Sequence, residues 1–521
     1  MPVSNFQELC DVPLNKMYNT REYRLDKERR PLTSCQMAIN GQDNVLSIGC
    51  FIEDPNFNIQ LAQKTWDLIF EQYPFMTSKI VFNAAEKWQF FEPQPEYRPA
   101  LPQNLYIVTS RKQLDETLNT TQASDAKLVH IDLYKMKVEG LPFRFLMMFQ
   151  VAHSISDGST TTFLLQRFNR YYTQLQRGEE VKLDFVQKGP FTMVSAYPED
   201  ADIGPSTSSN YKGLTLTPVK AFSEIEPKIQ YHKYHIRFQK KSEFSFKKFK
   251  GATVSHSMYA TQIIMQCAFM YYTKQLKEDE TAQQLVSDLI RDYDFLNEHG
   301  YCKQNFEDIF GYTIVGYPMT VNVAFDSNVG DILTQIQSVM NNFRNMDAQE
   351  HMKSLIASDN VWIPKISFRY PISVYGANLG RFENESPIRA FSLASIQLNH
   401  TANPGVCNFT AVTTDEYVCF NQQNLDGFSD SDYDKFFDLF KAIQLQVYSS
   451  GSNSLRVSEV VEMIRKAFAT VQQQSTEQKQ QDHQNQINLQ SNQHACKQSQ
   501  IIPQSKQKLL VRVYHYNKNK K

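Results

Sequence analysis

The sequence lacks the features that mark secreted, membrane-spanning and metal-binding proteins. Its eight cysteines are scattered over 521 residues without a Cys-x-x-Cys pair, whereas zinc sites and disulfide frameworks need closer spacing. No segment approaches the roughly 18 consecutive apolar residues that a bilayer-spanning helix requires. The first residues, MPVSNFQELCDVPLNK, contain no basic segment followed by an apolar one, as a signal peptide would. We therefore expect a cytoplasmic protein without a transmembrane segment.

The sequence also has almost no excess of charge. Its 54 Lys and Arg residues balance 55 Asp and Glu residues, for a net charge of −1. Eight of the basic residues but only two of the acidic ones lie in residues 471–521, so residues 1–470 are mildly acidic with a net charge of −7. A nucleic-acid-binding surface needs a clear basic excess. We predict no nucleic-acid partner.

Composition predicts four segments. Residues 187–222 contain four prolines among Gly, Ser and Asp, which is typical of a long irregular crossover. Residues 471–507 contain 14 glutamines in 37 positions and few large apolar groups, which is typical of disorder. We therefore predict an N-terminal lobe at 1–186, a C-terminal lobe at 223–470 and a Gln-rich, basic, disordered tail at 471–521. The sequence does not indicate a partner for the tail.

Hydrophobic periodicity predicts a mixture of strands and helices. Strands are predicted at 128–134, 143–151, 231–238, 317–325, 371–376, 391–399 and 407–420. Helices are predicted from Ile59 to Tyr73, from about Ser159 to Leu175, and at 254–275, 329–345, 430–447 and 455–468. The predicted fold class is an α/β (α+β) sandwich of two lobes.

One string stands out chemically, HSISDG at residues 153–158. A nearly all-apolar strand ends at His153, and a helix begins after Gly158. With an ordinary pKa near 6.5, a histidine at such a position can accept a proton from a hydroxyl or amine at neutral pH. The alternative is a packed histidine at a strand end, followed by an aspartate that caps the helix. The string alone does not decide between them.

HSISDG resembles the HxxxDG signature of the chloramphenicol-acetyltransferase-like superfamily, which includes condensation domains, alcohol acetyltransferases and the plant BAHD acyltransferases. Further fragments resemble that superfamily in the same order along the chain. They are TWDLIFEQYPFMTSKIV (65–81), VHIDLYKMKVEGLPFRFLMMFQVAHSISDG (129–158), ATVSHSMYATQII (252–264), YPMTVNVAF (317–325), ISVYGANLGRF (372–382) and FTAVTTDEYVCF (409–420). The resemblance covers most of the chain before residue 470.

The resemblance implies a two-lobed chloramphenicol-acetyltransferase-like fold with an active-site tunnel between the lobes. His153 would be the general base that deprotonates an alcohol or amine acceptor for attack on an acyl thioester. Asp157 would support the catalytic loop by pairing with an arginine, for which Arg24 and Arg381 are candidates. Gly158 would leave room for the thioester arm.

An acyl-transfer site also needs a donor to the developing oxyanion, which is worth about 3 kcal/mol in acyl-transfer enzymes. Asn378, Ser373 and Tyr375 are the candidates in the fragment that contains ANLG. Asn378 is equally well explained as a turn residue before Leu379 and Gly380.

The sequence differs from the superfamily pattern at several positions, and these differences limit which acyl donor and which branch of the superfamily we expect. Ala152 stands where many relatives have a second histidine, and the BAHD string DFGWG is replaced by ANLG. Because no carrier or adenylation motif is visible, we expect free acyl-CoA as a co-substrate and no tightly bound cofactor. His232 and His235 lie three apart on a predicted strand and so on opposite faces, and we predict no metal site. The alternatives are a condensation domain that acts on carrier-bound thioesters and a non-catalytic binding or scaffold protein of the same fold.

Overall fold

The computed structural model describes much of the chain between residues 30 and 468. The described residues are 30–31, 44–83, 88–94, 96–124, 127–187, 189–192, 234–243, 254–291, 308–312, 314–344, 374–383, 387–397, 407–423, 430–450 and 454–468. Residues 193–222 of the predicted crossover and the tail from residue 471 lie outside them. The predicted domain boundaries therefore stay predictions.

The described chain contains both strands and helices. The strands are β1 (Arg30–Pro31), β2 (Asn44–Ile52), β3 (Ser78–Asn83), β4 (Trp88–Pro93), β5 (Tyr106–Val108), β6 (Val129–Met136), β7 (Phe145–Ala152), β8 (Phe191–Thr192), β9 (Tyr234–Lys240), β10 (Ala282–Arg291), β11 (Gly311–Tyr312), β12 (Ile314–Val323), β13 (Val374–Arg381), β14 (Ile388–Gln397), β15 (Cys407–Thr413) and β16 (Tyr417–Gln423). The helices are α1 (Ile59–Gln72), α2 (Arg111–Asn119), α3 (Gly158–Gln176), α4 (Val254–Tyr272), α5 (Val329–Arg344) and α6 (Asp430–Ser450), and residues 457–468 are also helical. None of these described helices is long and apolar enough to cross a membrane.

The first sheet has the strand order β14-β2-β7-β6-β5. β6 alternates between buried and half-exposed residues, as expected for a strand with one covered face. β7 is buried at every position except Phe145, because it lies in the middle of the sheet and both of its faces are covered. The near-absence of polar residues in this segment therefore follows from its central position.

Trp66 of α1 packs against both helix α3 and one face of the first sheet. Its ring lies 5.0 Å from the ring of Phe149 on β7 and 5.0 Å from that of Phe168 on α3. The indole N–H also donates to the Met147 sulfur at 3.3 Å. Such a fully buried aromatic side chain costs about 3–5 kcal/mol when truncated to alanine. This packing holds α3, and with it the turn that precedes α3, against β7.

The second sheet has the strand order β12-β10-β13-β15-β16-β9. α6 covers one face, where the Phe440 ring lies 5.6 Å from that of Phe420 on β16. On the other face, Phe238 of β9 meets Phe51 of β2 edge to face at 4.8 Å. The two sheets thus share part of their core, and both belong to one compact unit that ends at Val461.

β14 joins the two halves of the chain. It lies in sequence between β13 and β15 of the second sheet but pairs antiparallel with β2 of the first. The hydroxyl of Thr410 on β15 donates to the carbonyl of Leu393 on β14. The first sheet is therefore completed by a strand from the C-terminal half.

The observed elements agree with the predicted ones to within a few residues, with some exceptions. The predicted strand 407–420 is a hairpin of β15 and β16, whose turn is closed by hydrogen bonds between Thr414 and Tyr417. Helix α2 and the strands β1 to β5, β8, β10 and β11 were not predicted. The sequence of β2, NVLSIGCFI, is a short apolar run without clear alternation, and periodicity cannot assign such a run.

Candidate active site

The predicted base, His153, directly follows the central strand of the first sheet. Its backbone N–H donates to the carbonyl of Asn44, the first residue of β2, at 2.9 Å. This bond extends the pairing of β7 with β2 by one residue. The side chain of His153 is half-buried. The sheet thus fixes the backbone of His153 while its imidazole keeps partial access to solvent.

A hydrogen bond of the imidazole determines which ring nitrogen can act as a base. Nδ1 of His153 lies 2.8 Å from the carbonyl oxygen of Ser156. A carbonyl can only accept, so Nδ1 carries the proton and Nε2 carries the lone pair. Burial lowers the pKa of His153 below its usual 6.5, against smaller raising effects from its hydrogen bond to Ser156 and from the charge of Asp157. The ring is therefore neutral at pH 7, with Nε2 as its basic atom.

Asp157 caps helix α3. Its Oδ1 accepts a hydrogen bond from the backbone N–H of Thr160 at 2.8 Å, and the Thr160 side chain reaches back to the Asp157 backbone N–H at 3.3 Å. This reciprocal pair is a capping box, which satisfies backbone donors that the first helical turn leaves free. The carboxylate is fully buried. Asp157 thus shapes the turn that contains His153, whichever interpretation of the motif holds.

Of the two candidate arginine partners of Asp157, only Arg381 is described, and it pairs with another residue. Arg381 forms a 2.6 Å ion pair with Asp415, and both side chains are largely exposed. Arg24 lies outside the described residues.

Gly158 meets the fragment ANLG across the fold. A Cβ atom at residue 158 would lie 2.4 Å from Cδ2 of Leu379 on β13 and 3.5 Å from Cδ1 of Leu393 on β14. A larger residue here would force the end of the Leu379 side chain to shift. The space beside Gly158, predicted to admit a thioester arm, contains the half-buried side chain of Leu379. Two motifs that are more than 200 residues apart in sequence are in direct contact.

The predicted oxyanion donors are only partly described. Oδ1 of Asn378 accepts from the backbone N–H of Gly380 at 3.1 Å, and Gly380 has φ +77°. Asn378 is exposed and acts as the turn residue that its alternative interpretation expects. The backbone of Tyr375 belongs to β13, in register with Ser287 and Asn408, and Ser373 lies outside the described residues. Their role as oxyanion donors stays a prediction.

The fold of the chain is similar to that of several solved structures. The epimerization domain of the third module of tyrocidine synthetase B matches with a TM-score of 0.55 and 11% identity, over 81% of this chain and 96% of that one. Polyketide synthase associated protein 5 from Mycobacterium tuberculosis matches with a TM-score of 0.56 and 10% identity, over 81% and 97%. The first condensation domain of the calcium-dependent antibiotic synthetase matches with a TM-score of 0.54 and 13% identity, over 83% and 99%.

The chain has the two-lobed condensation-domain fold. The predicted fold class is therefore confirmed, and so is the resemblance at the level of fold. No family model matches the sequence, and no curated protein is significantly similar to it.

One segment that contacts the HSISDG turn was not predicted from the sequence. The carbonyl of Gly311 accepts from the Asp157 backbone N–H at 2.9 Å and from the Thr160 hydroxyl at 2.7 Å. Gly311 opens the short strand β11, which pairs with β8. Nothing in the local sequence DIFGY marks this contact, since it joins residues about 150 positions apart.

Two other histidines form pairs outside the turn. His235 on β9 lies 2.9 Å through Nδ1 from the Asp115 carboxylate on α2, and both residues are buried. His130 on β6 lies 3.2 Å through Nε2 from Asp132, which shares its face of the strand as expected. Among the described residues, no group of three His, Cys, Asp or Glu side chains is arranged to hold a metal ion.

Proposed function

We propose that this protein transfers an acyl group from a thioester to a hydroxyl or amine, with His153 as the general base. The observation that carries the proposal is the His153 tautomer. The Ser156 carbonyl holds the proton on Nδ1, so Nε2 carries the lone pair of the ring, and burial keeps the ring neutral at pH 7. This is the state that a base needs before it meets an acceptor.

The proposed reaction proceeds by attack of the acceptor on the thioester carbonyl. Nε2 of His153 takes the acceptor proton as the new C–O or C–N bond forms. The tetrahedral intermediate then expels the thiolate as the C–S bond breaks. The thiolate takes the proton from the imidazolium of His153, so the products are an ester or amide and a free thiol, and the base is restored.

We favour a carrier-bound thioester as the donor. Two similar structures are an epimerization domain of tyrocidine synthetase B and a condensation domain of the calcium-dependent antibiotic synthetase, and the resemblance implies carrier-bound substrates for such domains. Free acyl-CoA is the second candidate, because the ANLG string resembles the alcohol-acetyltransferase branch. In either case the group that leaves is a thiol.

Thiol release tests both the reaction and its donor. Wild type, His153→Ala and the matched control His130→Ala are incubated with acetyl, octanoyl and palmitoyl thioesters, each presented as the CoA form and on a phosphopantetheinylated carrier protein. Pooled alcohols, amines and an aminoacyl-loaded carrier serve as acceptors. We expect acceptor-dependent release by wild type and His130→Ala that falls at least 100-fold in His153→Ala, since general-base catalysis is worth about 10² to 10⁴ in rate.

The pattern of release decides among the alternatives. Activity with carrier thioesters alone supports the favoured donor, and activity with CoA thioesters identifies an acyl-CoA enzyme. Full activity of His153→Ala would overturn the assignment of the base. No release by wild type with any donor would favour a non-catalytic binding protein, and a rise in melting temperature with CoA or holo-carrier would then show which one it binds.

A further inference from the structure

The HSISDG turn is held by a segment that belongs to the C-terminal half of the chain. We call residues Asp308–Tyr312 the clasp. Its Gly311 carbonyl lies at the centre of the contact, since it accepts from both the Asp157 backbone N–H and the Thr160 hydroxyl. Asp157 and Thr160 also bind each other through the helix cap. One carbonyl of the clasp therefore supports both residues of the capping box.

The clasp is itself fastened to the N-terminal half. The Gln187 side-chain amide donates to the Phe310 carbonyl at 2.7 Å and accepts from the Phe310 backbone N–H at 3.0 Å. Arg167 of α3 pairs with Asp308 at 2.5 Å, and the Tyr73 hydroxyl donates to the Asp308 carbonyl at 3.1 Å. The Gln187 amide thus bonds both the N–H and the carbonyl of Phe310. These two bonds restrict the backbone of Phe310 and, with it, the position of the Gly311 carbonyl that follows.

The hydroxyls between the clasp and His153 are connected. The Ser156 hydroxyl is 2.8 Å from that of Thr161 and 3.4 Å from that of Thr160. These side chains are fully buried, where a hydrogen bond that is lost is not replaced by water. The carbonyl of the same Ser156 accepts the Nδ1 proton of His153. Displacement of Thr160 would therefore move the group that selects the His153 tautomer.

We propose that Thr160 and Gln187 are positioning residues for His153, acting through the Gly311 carbonyl to keep the Nδ1-protonated tautomer. Neither residue needs to touch a substrate. Their catalytic importance rests on the proposed function, but the tautomer they maintain can be measured without a substrate. The two proposals can therefore fail separately.

The test is nitrogen NMR on full-length protein with ¹⁵N-labelled histidine, with His153→Gln used to assign the His153 signals. Nδ1 and Nε2 have different shifts in the two tautomers, so the spectrum reports their ratio. Thr160→Val removes the hydroxyl at nearly constant volume, and Thr160→Ser restores it. Thr162→Val is the matched control, since Thr162 lies on the same helix and its hydroxyl bonds only the Gly158 carbonyl at 2.8 Å among the hydrogen bonds described.

We expect Thr160→Val to lower the ratio of Nδ1-protonated to Nε2-protonated His153 by about fivefold, the factor that corresponds to the net worth of one hydrogen bond. Thr160→Ser and Thr162→Val should keep the wild-type ratio. Gln187→Leu should change the ratio in the same direction, and it decides the question if Thr160→Val does not fold. Folded Thr160→Val or Gln187→Leu protein with the wild-type ratio would overturn the proposal.

Activity gives a separate readout. If the proposed function holds, Thr160→Val should lower kcat by a similar factor with little change in KM, because the base rather than the substrate contacts is affected. A rise in KM at constant kcat would contradict a positioning role.

Discussion

At the scale of single residues, His153 and Asp157 are ionisable groups of one turn with different tasks. His153 is half-buried and neutral at pH 7, with Nε2 as its basic atom. Asp157 is fully buried and uses its carboxylate to satisfy backbone donors of α3. The turn that contains His153 is thus shaped by a neighbour whose Oδ1 atom is engaged in the helix cap.

The pH dependence of activity should follow the lowered pKa of His153. The base must be neutral, so kcat/KM should rise with pH through that pKa and be constant above it. Because burial moves the pKa below 6.5, the acid limb should lie below pH 6.5 and the rate at pH 7 should be close to its maximum. A pH profile of kcat/KM measures this directly. An acid limb centred above pH 7 would contradict a buried neutral imidazole.

Substitution of Asp157 separates its capping role from that of an ion-pair partner. Asp157→Ala should lower the free energy of unfolding by about 1 kcal/mol or more, the usual cost of losing a helix N-cap. Asp157→Asn should retain most of the stability, since its amide oxygen can still accept from Thr160. Urea denaturation of both variants gives the values. If Asn is as destabilising as Ala, the charge of Asp157 matters more than its cap.

At the scale of secondary-structure elements, the start of α3 is held between three pieces of the chain. β7 leads into the turn, β13 places Leu379 against Gly158, and β11 provides the Gly311 carbonyl. β13 departs from its regular register with β15 after Asn378, and Gly380 has a positive φ at that point. The irregular end of β13 is therefore what brings Leu379 to the helix.

A double-mutant cycle measures the contact between α3 and β13. Gly158→Ala should destabilise the protein by about 1 kcal/mol, at the low end for overpacking, because Cδ2 of Leu379 is the end of a side chain that can rotate. The same substitution should cost much less in a Leu379→Ala background, with a coupling energy of at least 0.5 kcal/mol.

The control cycle uses Leu393→Ala. Leu393 lies at an ordinary contact distance of 3.5 Å from the same Cβ position, so truncating it should not relieve Gly158→Ala. Equal coupling in both cycles would show that a general loosening of the core, rather than the Leu379 contact, is being measured.

At the scale of the whole molecule, the two sheets depend on each other. β14 completes the first sheet although its neighbours in sequence, β13 and β15, belong to the second. Phe51 and Phe238 pack together between the sheets. Unfolding of one sheet would therefore remove contacts that stabilise the other, and we predict that both unfold cooperatively.

Native-state hydrogen exchange tests this cooperativity. Amides of Phe149 in β7, Leu393 in β14 and Val412 in β15 should exchange with the same free energy and the same dependence on denaturant, because all require global unfolding. Ile107, on the edge strand β5 and 47% exposed, should exchange faster and serves as the control. Much easier exchange at Val412 than at Phe149 would show that the lobes open independently.

Local patterns in the sequence were sufficient to predict the elements on either side of His153. The apolar run of β7 and the segment of β6 were both predicted to be strands, and the spacing around Trp66 predicted α1. HSISDG placed His153 between strand and helix. These features depend on residues close together in the chain, where period and capping chemistry act directly.

Only the tertiary structure shows which groups contact the HSISDG turn. The Gly311 carbonyl, the Leu379 side chain and the strand β14 all reach the N-terminal half from far along the chain. A backbone carbonyl has no sequence signature, and the steric preference for glycine at 158 exists only because Leu379 packs there. Such contacts depend on the packing of the two sheets, and no short stretch of sequence contains that information.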